Sequence, residues 1–279
     1  MYPDIRMIAA DLDGTLLGPD KQYSPYTLQV LQMADGRGIR IVPATGRPRC
    51  ALPAGTQDIP FFRYAITSNG SSIFDLQSGR RLYACDLDAD KTRRILEILC
   101  DAGVSCEVFS EGNAYADRRR WENPLSAPEG SWHRRYVQST RRPADDMPSL
   151  IRRLAGSIEG FNIIVPDPQQ RRSMHKALSA IGGLYITASS SFNLEVADSR
   201  VSKAAACAYL AGRFGLAQSQ TAAFGDSLND LEMLRFAGLG VAMGNADPEL
   251  IRQADDTAPD CSRDGAAWYI EHKILGTAR

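Results

Sequence analysis

The sequence predicts an α/β protein, with a parallel-sheet core assembled from both ends of the chain and an inserted α+β domain between them. Three observations predict it. Short apolar runs alternate with capped helical segments through the first eighty or so residues, and the same alternation resumes near Lys203. Between these stretches, helices and strands follow one another in a different mixture. The boundaries read this way are 1–83 with 198–279 for the core and 84–197 for the insertion. A length of 279 residues with 44% hydrophobic content is enough to fill two modest cores, so disorder is not expected.

In chain order, the apolar run 7–10 predicts a strand. Ser24 can cap a helix over 24–37, with Pro25 at its first position and Gly36 and Gly38 at its end. Strands are predicted over 39–43 and 64–67, the latter stopped by Ser68-Asn69-Gly70. Parallel strands joined by right-handed crossovers gather ligands where their carboxyl ends emerge. The loops 11–14, 44–47 and 68–70 should therefore converge. Residues 71–86 predict a hairpin turning at Ser78-Gly79. The insertion reads as a helix over 90–102, strands over 105–110 and 113–117, and a loop-rich stretch over 118–148. It continues with a helix over 146–155, a strand over 161–165, a helix over 169–181 and strands near 184–188 and 192–196. The core resumes with a helix over 203–214, a strand over 221–224, a loop over 225–229, a helix over 230–237 and a strand over 239–242. A helix around 265–274 closes it. Asp255 and Asp256 read as a solvated loop, and Met233 and Met243 as core filling.

Thirty-two basic residues against thirty-three acidic ones leave no global field to attract nucleic acid or an anionic membrane. No run approaches the ~18 consecutive apolar residues of a membrane span. The first residues lack the basic-then-apolar pattern of a secretory signal, which predicts a cytoplasmic protein. Six cysteines without a Cys-x-x-Cys pair and three dispersed histidines disfavour structural zinc, and buried reduced thiols are expected.

Asp11 and Asp13 stand two apart at a strand end, so an extended backbone aims both carboxylates to one side before Gly14 turns the chain. One such acid can attack phosphorus while the other protonates the leaving oxygen and later activates water. A lone Asp-x-Asp is more often a turn, so the pair needs corroboration. It comes from Gly225-Asp226-Ser227-Leu228-Asn229-Asp230, again after an apolar run. Asp226 could complete a magnesium site with Asp11. Thr45, the Gly46 amide and Lys203 could hold phosphoryl oxygens and stabilise their charge.

In this order, Asp11-Leu12-Asp13-Gly14-Thr15-Leu16, Ala44-Thr45-Gly46-Arg47, Lys203 and Gly225 to Asp230 resemble the four motifs of the haloacid dehalogenase superfamily of phosphohydrolases. Gly240-Val241-Ala242-Met243-Gly244-Asn245-Ala246 and Arg263-Asp264-Gly265 resemble its Cof-like group, whose type-two cap lies between the second and third motifs. The resemblance implies a Rossmann-like core, a cap that closes over it, and a Mg2+-dependent phosphatase of small phosphorylated metabolites acting through an aspartyl phosphate. It makes Asp11 nucleophile and metal ligand, and Asp13 general acid/base and metal ligand through its carbonyl. Asp226 becomes the third metal ligand, and Thr45, Gly46, Lys203 and Asn229 the phosphate contacts. Arg47, Asn69, Gly70 and Asp230 are implied to support the site. Ala204 and Cys261 depart from the pattern without touching the chemistry. The rivals are a phosphotransferase or mutase on sugar phosphates and a non-catalytic module that binds a phosphorylated ligand.

The segment 117–142 holds seven arginines, at 118, 119, 120, 134, 135, 141 and 142. A solvated cap loop anchored by Trp121 and Trp132 is the expectation, with a grip on a second anionic group of the substrate as the sharper alternative.

Overall fold

The computed structural model describes residues 4–123, 132–188 and 190–276, and among these the chain forms two compact units. The first comprises the described residues of 1–46, 53–83 and 202–279; the second, those of 47–52 and 84–201. Residues 47–52 and 198–201, expected in the core, therefore pack with the second unit.

In the first unit, five parallel strands run in the order Asp256–Thr257, Leu239–Ala242, Thr221–Gly225, Met7–Ala10, Arg40–Pro43. Every residue of Met7–Ala10 is buried, as befits a central strand covered on both faces. Register places Ala10 beside both Phe224 and Pro43, so the loops that follow these strands leave the sheet at one edge. A parallel bridge between Ala44 and Ile66 carries the pattern to the strand Tyr64–Thr67. That strand pairs antiparallel with Ser72–Asp75 in a separate three-stranded sheet, which Arg81–Ala84 completes. The expected turn at Ser78-Gly79 is present, with the Gly79 N–H donating to Asp75 O at 2.8 Å.

Helix ends follow the capping chemistry. Ser24 Oγ accepts from Thr27 N ahead of Pro25–Gly36, and Ser202 Oγ accepts from Ala204 N and Ala205 N ahead of Lys203–Arg213. Three features depart from expectation. Asp256 is not in a loop but in the short edge strand, where it accepts from Tyr269 Oη at 2.7 Å; Asp255 Oδ2 accepts from Gly240 N at 2.8 Å. A helix Pro248–Gln253, capped by Asp247, precedes that strand. The closing helix Gly265–Tyr269 widens into a π-helical turn over Ile270–Ile274. Met233 and Met243 are fully buried, as expected.

The second unit is a six-stranded sheet in the order Leu184–Thr187, Asn193–Asp198, Ile158–Ile164, Ser105–Ser110, Asn113–Asp117, Arg141–Ala144, antiparallel except for the last pair. The helices Ala89–Ala102, Met147–Leu154 and Pro168–Ser179 cover one face, burying Ile95, Leu99, Val108, Ile151, Phe161 and Leu178 in one cluster. Strand alternation turns Glu107 to the other face, between Cys106 and Val108 of that cluster.

The stretch 118–148 is not loop-rich among its described residues: it contains the helices Arg118–Glu122 and Trp132–Thr140 and the strand Arg141–Ala144. Its arginines are largely engaged within the unit. Arg118 pairs with Asp145, and Arg134 Nη2 donates to Glu122 O at 2.9 Å. Arg141 donates twice to Glu107 Oε2, at 3.1 and 3.0 Å, while Arg120 lies 3.7 Å from Glu107 Oε1. Trp121 ties this stretch down through Nε1, which donates to Arg141 O at 3.1 Å. Glu129 and the side chain of Trp132 lie outside the described residues. The cysteines divide: Cys85, Cys106 and Cys207 are buried as expected, whereas Cys50 and Cys100 are exposed. No helix among the described residues is long and apolar enough to cross a membrane.

Candidate active site

The strand Met7–Ala10 delivers Asp11 to the sheet edge, where its N–H donates to Phe224 O at 3.0 Å. The residue is only 6% exposed. Lys203, in the first turn of the helix capped by Ser202, is fully buried and reaches the same place. Its Nζ donates to Asp11 Oδ1 and to Asp230 Oδ1, both at 2.6 Å. Asp230 spends its second oxygen on the loop after Thr221–Gly225, where Oδ2 accepts from Asp226 N and Ser227 N at 3.1 Å each. One carboxylate thus orients the lysine and closes the loop that presents Asp226.

Two glycines permit the close approach. Gly14 has φ +85°, and a Cβ there would stand 2.4 Å from Asp226 Oδ2. Gly70 has φ +99°, and a Cβ there would stand 2.2 Å from Ser202 O, so only glycine lets the loop 68–70 rest on the start of the lysine helix. Beside it, Asn69 N donates to Thr45 O at 3.0 Å, and Asn229 Nδ2 donates to Asn69 Oδ1 at 2.9 Å. A Cβ on Gly46 would meet Asn69 Oδ1 at 3.1 Å. Thr45 and Gly70, which are buried, and Gly46, Asn69 and Asn229, which are half-buried, therefore form one group at the sheet edge. Arg47 is the exception. It packs in the second unit, its Nη1 donating to Ala51 O at 3.1 Å and its guanidinium lying 5.3 Å from the Tyr136 ring centroid.

Carboxylate oxygens of Asp11, Asp226 and Asp230 all lie within 4.8 Å of one another. Three buried or half-buried acids share one ammonium, an excess of negative charge that a divalent cation would offset. Asp226 Oδ1 fits that reading, being buried without a hydrogen-bond partner. Burial pushes the Asp11 carboxyl up to about 7 against the pull of Lys203, with Asp230 adding to the rise. Burial and then Asp230 push Asp226 up to about 6. Burial alone would lower Lys203, but Asp11 and Asp230 outweigh it and hold the ammonium above the usual lysine range. Asp13 is one third exposed and outside the three-acid cluster.

Two contacts were not anticipated from the sequence. Lys21 Nζ lies 3.1 Å from Asp13 Oδ1. Asn245 Nδ2 donates to Gly14 O at 2.9 Å while its Oδ1 accepts from Cys261 N at 2.8 Å. The latter bond uses only the backbone of Cys261, so it does not depend on which side chain stands there.

Comparison with known proteins agrees with the motifs. The model of the haloacid dehalogenase-like hydrolases matches residues 8–270. An HMP-PP phosphatase of Cronobacter sakazakii is 30% identical over 270 residues, covering 96% of this chain and 95% of its own. A 5-amino-6-(5-phospho-D-ribitylamino)uracil phosphatase of Bacillus subtilis is 28% identical over 276 residues, covering 98% and 97%. Among solved structures, a haloacid dehalogenase-like hydrolase from B. subtilis superposes with a TM-score of 0.82 at 28% identity, covering 96% of this chain and all of the other. With motifs, parallel sheet and family model in agreement along nearly its whole length, the chain belongs to the haloacid dehalogenase-like hydrolase family.

Proposed function

We propose that the protein is a Mg2+-dependent phosphatase of small phosphorylated metabolites. The observation that carries this reading is the buried lysine bonded to two carboxylates of a three-acid cluster at the ends of parallel strands. Asp11, the Asp13 carbonyl and Asp226 would hold Mg2+, which when bound offsets the repulsion between an anionic nucleophile and an anionic phosphate. Thr45, the Gly46 amide, Lys203 and Asn229 cradle the phosphoryl oxygens, while Asn69 and Asp230 hold Asn229 and Lys203 in place and Gly70 seats the lysine helix.

Asp11 attacks phosphorus in line, forming an oxygen–phosphorus bond as the ester oxygen–phosphorus bond breaks. Asp13 gives its proton to the departing alkoxide. It then takes a proton from water, whose oxygen attacks the aspartyl phosphate, returning Asp11 and releasing inorganic phosphate. Lys203 serves twice, orienting Asp11 before attack and neutralising charge on the transferred group during it.

The test is a screen of phosphate esters, with and without Mg2+, that includes HMP-PP and 5-amino-6-(5-phospho-D-ribitylamino)uracil alongside sugar phosphates. Turnover that requires Mg2+ and vanishes in Asp11→Asn is the expected result. Equal turnover in that variant would overturn the mechanism.

A further inference from the structure

Lys21 sits in a left-handed backbone conformation, φ +62°, where glycine or asparagine would be cheaper. The turn that imposes it is closed by three bonds. Lys21 N donates to Gly18 O at 2.9 Å, Gly18 N to Gln22 O at 3.0 Å, and Gln22 N to Asp20 Oδ1 at 3.1 Å. Tyr23 then fixes the end of the turn, its hydroxyl 3.3 Å from Thr56 Oγ1 and its ring 5.5 Å from that of Phe62. A bridge between Asp13 and Leu17 folds the intervening chain back on itself. The result carries the Lys21 ammonium to 3.1 Å from Asp13 Oδ1.

An ion pair whose side chains are each about one third open to solvent contributes little to stability, so stability does not explain a strained lysine there. Strain kept in the backbone beside a reacting group points instead to a task at that group. We infer that Lys21 is a positioning residue for Asp13, fixing the carboxyl through one oxygen so that the proton is aimed at the leaving oxygen. This rests on the reading of Asp13 as general acid. In the step concerned, Asp11 bonds to phosphorus, the ester bond breaks, and the Asp13 proton passes to the departing oxygen. An alkoxide needs that proton; p-nitrophenolate, a stable anion, does not.

The experiment compares kcat/KM for an alkyl phosphate and p-nitrophenyl phosphate, with Mg2+ present, in wild type, Lys21→Gly, Lys21→Gln, Lys21→Arg and Asp13→Asn. Glycine suits the left-handed position, so Lys21→Gly should keep or raise the Tm. Its kcat/KM should fall about tenfold on the alkyl ester and less than about twofold on the aryl ester, a fraction of what general acid catalysis contributes. Lys21→Gln should show the same selectivity and Lys21→Arg should largely restore the alkyl activity. Loss on both substrates alike, or on neither, in the lysine variants would overturn the inference while Asp13→Asn remained selective for the alkyl ester. If Asp13→Asn itself lost both equally, the general-acid reading would fall and this inference with it.

Discussion

Lys203 is the residue on which the geometry of the site turns. It is fully buried, and its two 2.6 Å bonds hold Asp11 and Asp230 together. Replacing it with methionine leaves two buried carboxylates without their counter-charge, so stability should drop by about 3 kcal/mol or more. Urea unfolding checks this, and phosphate release should disappear in the same variant. The raised carboxyls give a second expectation. Asp11 at about 7 and Asp226 at about 6 take up protons as the pH falls through that range, and a protonated carboxyl is a poor ligand for Mg2+. Titration calorimetry should show Mg2+ affinity falling steeply below about pH 7 and levelling above it, with protons released on binding in the lower range. The acids and the lysine were legible in the sequence because each follows an apolar run or opens a helix. Lys21 was not, because Gly18-Pro19-Asp20 announces a turn but not that the turn carries the Lys21 ammonium back onto Asp13.

At the scale of elements, the approach of the loop 68–70 to the helix Lys203–Arg213 depends on Gly70. Gly70→Ala combines a left-handed φ with a Cβ 2.2 Å from Ser202 O, so it should cost more than about 1 kcal/mol and displace the start of the lysine helix. Denaturant melts measure the first effect and the loss of phosphate release the second. Strands such as Met7–Ala10 and Thr221–Gly225 could be read from apolar runs alone, since strands covered on both faces are continuously hydrophobic. The edge strand Asp256–Thr257 could not, being two polar residues whose strand character comes from pairing with Val241 and Ala242. The helices Arg118–Glu122 and Trp132–Thr140 were hidden for a related reason. The arginines of this stretch suggest solvent, yet Arg120 in the first helix and Arg141 in the strand after the second are buried because Glu107, distant in sequence, supplies their counter-charge.

For the molecule as a whole, acid should act on the second unit through Asp198. This carboxylate is fully buried, which alone would raise it, but bonds from Arg200 Nε and Lys91 Nζ, both 2.7 Å, hold it well below the usual carboxylate range. A folded-state value lower than the unfolded one means a stabilising contribution present above about pH 4 and lost as the pH falls towards the folded value. Asp198→Asn should therefore lower the Tm at neutral pH and flatten its decline in acid, as calorimetry over that range would show. The division of the chain was visible in the change of its helix and strand pattern; the membership of residues 47–52 was not, since it rests on contacts such as Cys50 N to Gly112 O at 2.8 Å. In the proposed mechanism Asp11 carries the phosphoryl group. The most direct test of this is the mass of the peptide containing Asp11 after the Asp13→Asn variant, slowed in hydrolysing the intermediate, is mixed with Mg2+ and its best phosphate ester. One added phosphoryl group on Asp11 is the expected result, and its absence at every time point while phosphate is still released would contradict the account.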